Sequence, residues 1–277
     1  GVAESSGVTL HEVMLLQVRN QFTEGMDHAC TALSLDSRAT TTGTALVAQN
    51  WDNDPAMDEF TIVLTRRPTG KPALINVTQA GLISYLGFNS VGIGVCVNTL
   101  PAPSHPVGVP HYFTLRGVYE ASCLDDAVTA VRRARRAIPA NMMMATPQGP
   151  ANLEITVDDV HVLRDDASLT HTNHCLHPDL LSVNDSFPEL IESHPRKRRI
   201  DALVSGSGGA TSLEQVKAAL SDHEDFPRSI CRHENDDPRF GFMTSVFSVI
   251  IDVDQKQMHV TRGNPCSQPY ETYRLVD

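Results

Sequence analysis

The apolar residues of this chain fall in short runs, and that spacing restricts it to a strand-rich fold. Runs at 44–48, 60–64, 73–77 and 92–97 are rich in Val, Ile and Leu and are separated by Gly, Pro and Asn. They have strand length, lack the 3.6-residue recurrence of an amphipathic helix, and are bounded by turn formers. A second set follows at 141–145, 152–157 and 160–163. The end of the chain is the clearest hairpin, with 245–253 and 257–262 joined through Asp254-Gln255-Lys256. Helical patterns lie between these runs. The first is capped by Thr9, with Glu12 at the box position and Val13, Leu16 and Val18 giving apolar contacts up to Phe22. Others cover 111–120, 124–138, 199–204 and 213–221, with Asp125 and Asp126 in a first turn and Ser212 as a cap. The segment 101–110 holds four prolines and reads as a surface connection. Strands and helices come in blocks, not in strict βαβ alternation, which predicts a layered α/β arrangement. No repeat or linker divides the chain, so 1–277 reads as one domain.

Composition acts by exclusion. The net charge of −11 argues against a nucleic-acid or anionic-membrane partner. No run of 18 apolar residues and no secretory signal is present, so no membrane partner is expected. Cysteines 30, 96, 123, 175, 231 and 266 are scattered without CxxC pairs, which suits a reducing compartment and an intracellular, cytoplasmic location. The terminal Arg274-Leu275-Val276-Asp277 is not a peroxisomal address. Of two basic runs, 132–136 falls in a helical pattern and reads as its solvated face. The other, His194-Pro195-Arg196-Lys197-Arg198-Arg199, is the better candidate for a localisation signal. Asn76-Val77-Thr78 and Asn184-Asp185-Ser186 match the glycosylation pattern, the first within a strand-like run.

A Cys30-Thr31 pair opens one strand and Gln49-Asn50-Trp51-Asp52 closes the next. Further on come Gly87-Phe88-Asn89-Ser90-Val91-Gly92, His171-Thr172-Asn173-His174, Ser229-Ile230-Cys231-Arg232-His233 and Gly263-Asn264-Pro265-Cys266. In that order, from about Leu10 to the final hairpin, these segments resemble the isopenicillin-N acyltransferase (acyl-CoA:6-aminopenicillanic acid acyltransferase) family of cysteine N-terminal-nucleophile (Ntn) hydrolases. The resemblance implies an α+β fold, a four-layer αββα sandwich of two antiparallel sheets. It divides the single domain at the nucleophile into 1–29 and 30–277. The family has a longer segment before its cysteine, so this chain is expected to lack part of its natural N-terminus.

The resemblance also implies a mechanism. Cys30 would attack the Ala29 carbonyl, cleave the Ala29–Cys30 bond, and then use its freed α-amine as the base for its own thiol. The ordinary pKa of an α-amine is ~8 and that of a thiol ~8.5, so this pairing works near neutral pH. The expected activity is acyl transfer or amide hydrolysis on a small N-acyl compound through a Cys30 thioester. The family has glycine where this chain has Ala29, which predicts slower cleavage. Asp52 is expected to orient the α-ammonium, although Asn53-Asp54-Pro55 also makes it a turn cap. Asn152, just after Gly149-Pro150, occupies the place of the family's oxyanion asparagine, and a turn role is its alternative. Arg232 and Arg239 are expected to bind a substrate carboxylate, with surface ion pairing as the bland reading. Arg19 matches a family arginine with a structural role. Trp51 reads as core or pocket wall. No resident cofactor and no metal site are expected. Acyl-CoA is a candidate co-substrate, and the cleaved N-terminal segment is the one protein partner implied.

Two other classes remain open. Ala29 and the short leading segment suit a binding protein that kept the fold and lost maturation. His171, His174 and His177, with Cys175, suggest a metalloprotein, but on extended backbone positions three apart face opposite sides. Ser205-Gly206-Ser207-Gly208-Gly209 lacks the lysine of a phosphate loop and reads as a flexible connection. Substrate identity, hydrolysis versus transfer, and oligomeric state are not encoded in these motifs.

Overall fold

The computed structural model describes residues 1–21, 29–206 and 208–276. The strands are β1 (Ala29–Leu35), β2 (Leu46–Asn53), β3 (Thr61–Arg66), β4 (Leu74–Gln79), β5 (Leu86–Asn89), β6 (Gly94–Asn98), β7 (Ala140–Thr146), β8 (Gly149–Ile155), β9 (Val160–Arg164), β10 (Ser168–His171), β11 (Thr244–Asp252), β12 (Gln257–Val260) and β13 (Glu271–Arg274). The helices are α1 (Val2–Ser6), α2 (Leu10–Val18), α3 (His111–Val118), α4 (Leu124–Arg133), α5 (Ser193–Ser205) and α6 (Leu213–Leu220). One sheet has the order β10-β1-β2-β11-β12-β13; the other runs β3 to β9 in chain order. Every strand pairing is antiparallel.

Burial on both faces explains why these strands read as near-continuous apolar runs. Along β1, Cys30 and Ala32 point into the layer between the sheets, while Leu33 and Leu35 point outward. The outward residues pack with Leu46, Ala48 and Ile250 against Ile200 of α5 and Val216, Ala219 and Leu220 of α6. On the other side, Asn89 donates to the carbonyls of Tyr119 and Ala121 and so ties the α3–α4 connection to the second sheet. Tyr112, Leu115, Ala127 and Val131 of these helices join the main core. Helices therefore cover both outer faces, and the layering is αββα. The sheets approach closely at Gly94, where a Cβ would stand 2.7 Å from Val253 and 3.0 Å from Val47.

The expected strands and the C-terminal hairpin form with small boundary shifts. The short strands β10 and β13 and helix α1 carry too little pattern to be read in advance. Thr9 and Glu12 make the expected capping box on α2; beyond Val18 the chain tightens into a 3-10 turn at Arg19–Gln21, and Phe22 and Ser207 lie outside the described residues. Helix α4 stops at Arg133, short of the expected 138, because Arg136 turns back and donates to the Val131 and Ala134 carbonyls. Three arginines of the 132–136 run are exposed, but Arg136 is buried. Asn76 is fully buried on β4, which excludes it as a glycan acceptor in the folded chain. Among the described residues no helix is long and apolar enough to cross a membrane.

The layer between the sheets is partly polar, and Glu154 fastens it. From β8 its carboxylate contacts His171 Nε2 of β10 at 3.0 Å and accepts the N–H groups of Leu176 (2.6 Å) and His177 (2.9 Å). Burial alone would raise this carboxyl; the contacts with His171 and the two backbone N–H groups outweigh it and hold it below its ordinary value. Glu154→Ala leaves the buried His171 ring and the half-buried Leu176 and His177 N–H groups without their partner. It should cost about 3–5 kcal/mol, measured as a lower urea midpoint at unchanged slope.

Candidate active site

Cys30 and Asp52 meet because β1 and β2 are antiparallel neighbours, with Ala29 opposite Asp52 and Cys30 opposite Trp51. Ala29 and Cys30 are the first two residues of β1. Cys30 is 1% exposed. Burial pushes its thiol well above the ordinary value and the Asp52 charge adds to this; Arg196 and the backbone N–H groups of Thr99 and Asp52 pull it down. The Cys30 N–H donates to Asn173 Oδ1 at 3.0 Å. The orientation of the Asn173 amide is fixed by its surroundings, because Oδ1 also accepts from Arg196 (2.8 Å) while Nδ2 donates to the Thr99 carbonyl (2.9 Å).

Arg196 lies beneath this strand on α5, fully buried. Its Nη1 donates to the Cys30 carbonyl at 2.6 Å and to Thr31 Oγ1 at 3.0 Å. Nε and Nη2 both donate to the Ile191 carbonyl. Ile191 and Glu192 hold left-handed backbone at φ 44° and 49°. Two such residues in succession, one of them β-branched, are costly at about 1–3 kcal/mol each. The paired Arg196 bonds are what hold them there.

Asp52 is fully buried and accepts from Ser245 Oγ at 2.6 Å, while its Oδ2 has no hydrogen-bond partner among the described residues. Burial pushes its carboxyl up to about 6, against the pull of Arg196, Ser245 and Arg232. Arg232, 1% exposed, donates to Glu192 Oε2 (3.0 Å) and the Phe240 carbonyl (3.1 Å), and its Nε has no partner among the described residues.

The remaining expected residues lie elsewhere. Asn152 is buried on β8; its Oδ1 accepts from Asn141, and among the described residues its Nδ2 has no partner and no contact links it to Cys30. Arg239 is exposed, with its guanidinium 4.7 Å from the Phe240 ring centroid. Arg19 donates to Gln79 and covers the Tyr112 ring. That ring leads edge-on through Tyr85 to Trp51, which stacks on Phe247 at 5.1 Å. The three histidines diverge. His171 pairs with Glu154, His174 contacts Ser193, and His177 meets His161 and Asp179. The basic run at 196–199 is not a free surface signal: Arg196 is buried, Lys197 pairs with Asp201, and Arg199 pairs with Asp222 and Glu224.

No part in the site is legible in the sequence for Asn173, Arg196, Ser245, Glu192 or the Thr99 N–H. Asn173 lies in the His171-Thr172-Asn173-His174 segment, which is the signal that points to it. Arg196 was hidden in a charge run whose composition pointed outward.

A sequence profile of the family described as acyl-coenzyme A:6-aminopenicillanic acid acyl-transferase matches residues 39–267. The acyl-coenzyme A:6-aminopenicillanic-acid-acyltransferase 40 kDa form of Emericella nidulans is 29% identical over 280 residues, covering 100% of this chain and 76% of that protein. Among solved structures, a Caenorhabditis elegans N-acylethanolamine-hydrolyzing acid amidase ortholog superposes with TM-score 0.57 at 15% identity, over 89% of this chain and 100% of that one. A conjugated bile acid hydrolase from Clostridium perfringens gives 0.57 at 12%, over 89% and 97%. Penicillin V acylase from Agrobacterium tumefaciens gives 0.56 at 12%, over 84% and 83%. These neighbours share the Ntn-hydrolase fold. The chain belongs to the acyl-coenzyme A:6-aminopenicillanic acid acyl-transferase family and is an enzyme of the acyl-transfer and amide-hydrolysis kind.

Proposed function

We propose that this chain matures by cutting itself between Ala29 and Cys30, and that Cys30 then carries acyl groups as a thioester. The observation that supports this best is what converges on Cys30: Asn173 on its nitrogen, Arg196 on its carbonyl, two backbone N–H groups on its sulfur, and the Asp52 charge beside it.

In the uncut chain, Sγ attacks the Ala29 carbonyl carbon and the thiol proton passes to a base. Asp52 suits that part, being largely ionised at neutral pH with an unpaired Oδ2. Collapse breaks the C–N bond, leaving an Ala29 thioester and the protonated Cys30 amine; water then releases Ala29 as its carboxylate. Ala29 is compatible with this step, since its methyl packs against Ile191 and Met243. In the mature enzyme Asn173 Oδ1 orients the Cys30 amine, Asp52 balances its charge when protonated, and the neutral amine takes the thiol proton. The thiolate attacks an N-acyl amide or an acyl thioester such as acyl-CoA. The Thr99 N–H, already directed at Cys30 Sγ, is one candidate donor for the oxyanion, and Asn152 Nδ2, without a partner among the described residues, is the second. Arg232 sets the potential at Asp52, and Arg239 stands at the surface as a cation for a substrate carboxylate. Water or an amine acceptor resolves the acyl-enzyme.

Trapping tests this directly. Protein incubated with an activated acyl ester and quenched in acid should carry one acyl group on the peptide that begins at Cys30, absent from Cys30→Ala. An adduct on another cysteine, or full turnover in Cys30→Ala, would sink the reading. Asp52 gives an independent check. Its folded pKa of about 6 lies above the unfolded value of ~3.9, so its proton stabilises the uncut fold below pH ~4 and that contribution is lost as pH rises through 6. Compared with Cys30→Ala alone, Cys30→Ala/Asp52→Asn should gain about 2–3 kcal/mol in relative stability over that window. A flat difference in urea unfolding across it would contradict the assignment. In the Cys30-containing chain Asp52→Asn should slow processing at least about a hundredfold.

A further inference from the structure

Away from the thiol of Cys30, four metal-ligating side chains from three separate segments come together. His223 follows α6, Cys231 and His233 flank Arg232, and Cys266 lies on the turn after β12; one donor atom of each falls within 4.8 Å of all the others. His233 Nε2 stands 2.9 Å from His223 Nε2, 3.6 Å from Cys231 Sγ and 3.4 Å from Cys266 Sγ. An imidazole nitrogen has either one hydrogen or one lone pair, so it can satisfy only one of those three neighbours. A cation at the centre of the four donors satisfies all of them. With Zn–N of ~2.0 Å and Zn–S of ~2.3 Å, a tetrahedral site has edges of about 3.3 Å between nitrogens and about 3.5 Å between nitrogen and sulfur. The two nitrogen–sulfur separations, 3.6 and 3.4 Å, fall on that edge, while the two imidazole nitrogens at 2.9 Å must part by about 0.4 Å to admit the ion.

We propose that His223, Cys231, His233 and Cys266 form a zinc site. Two thiolates neutralise the ion, and four protein ligands leave no open position, so the site is structural and takes no part in acyl chemistry. Supporting donors are in place. Asn264 Nδ2 donates to Cys231 Sγ at 3.8 Å and to the Arg232 carbonyl at 2.6 Å. Asp222, next to His223, has its carboxylate clasped by Arg199, and its backbone carbonyl accepts the Cys231 N–H at 3.0 Å. The stretch 221–243 contains no helix or strand, and irregular segments of that length need a fastening. Zinc would pin it on both sides of Arg232 to the C-terminal turn, with the Cys231 and Cys266 thiol protons released on binding. The metal therefore acts on the candidate active site only by ordering the loop that carries Arg232.

The test is metal content by mass spectrometry on protein purified without chelators from zinc-supplemented cells, with circular dichroism as a check on folding. The full chain and Cys30→Ala should each hold about one zinc, so the result stands apart from the fate of the nucleophile. His223→Ala and Cys266→Ser, both at exposed positions, should fall below roughly a tenth of an equivalent, while His177→Ala keeps its zinc. Reduced apoprotein given cobalt(II) should show a thiolate-to-cobalt charge-transfer band and the intense d–d bands of a tetrahedral site, both lost in Cys266→Ser. Three outcomes would overturn the proposal: no zinc together with no charge-transfer band in the full chain; zinc retained in both ligand variants; or a Cys231–Cys266 disulfide mapped in protein purified under reducing conditions.

Discussion

Arg196 is fully buried, and it directs all five N–H donors at oxygens around the nucleophile: the Cys30 carbonyl, Thr31 Oγ1, Asn173 Oδ1 and, twice, the Ile191 carbonyl. No carboxylate pairs with it directly among the described residues. Its charge is balanced through space, chiefly by Asp52. A buried cation without such compensation would cost several kcal/mol. The pairing therefore makes Arg196, Asp52 and Asn173 one unit, and the other parts of the site are arranged around it. Arg232 and Glu192 form an outer ion pair that shares the strained turn at Ile191–Glu192.

That arrangement suits the bond between Ala29 and Cys30. Ala29 is packed by Ile191 and Met243, while the Cys30 carbonyl and N–H are each held by a fixed side chain. The bond is thus clamped from both ends, and the strain stored at 191–192 borders it. Freeing the amine would place a new positive charge beside a carboxyl that burial has pushed upward. The uncut fold bears an electrostatic cost at Asp52 that the mature N-terminus would relieve.

Much of the fold was legible because the strands are buried on both faces and bounded by turn residues. The Cys30–Asp52 pair was legible for a local reason, since the two residues sit on consecutive antiparallel strands. Asn173 and Arg196 were not, because their roles depend on β10 and α5 reaching β1 from far along the chain. β10 is only four residues long. The helix holding Arg196 begins in a run whose charge suggested solvent. Asn152 was placed by order in the chain, and order alone could not distinguish the asparagine beside the nucleophile from one bonded to Asn141 in the polar layer. The metal-ligand geometry of His223, Cys231, His233 and Cys266 was invisible for the same reason: the spacing matches no short motif, and only the fold brings the three segments together.

Self-cleavage at Ala29–Cys30 is read most simply from the intact mass of freshly purified protein under denaturing conditions. The Cys30-containing chain should give two species, 1–29 and 30–277, and Cys30→Ala one uncut species. A single uncut chain that nevertheless turns over acyl substrates would contradict it, because Cys30 would then have no free amine to act as its base.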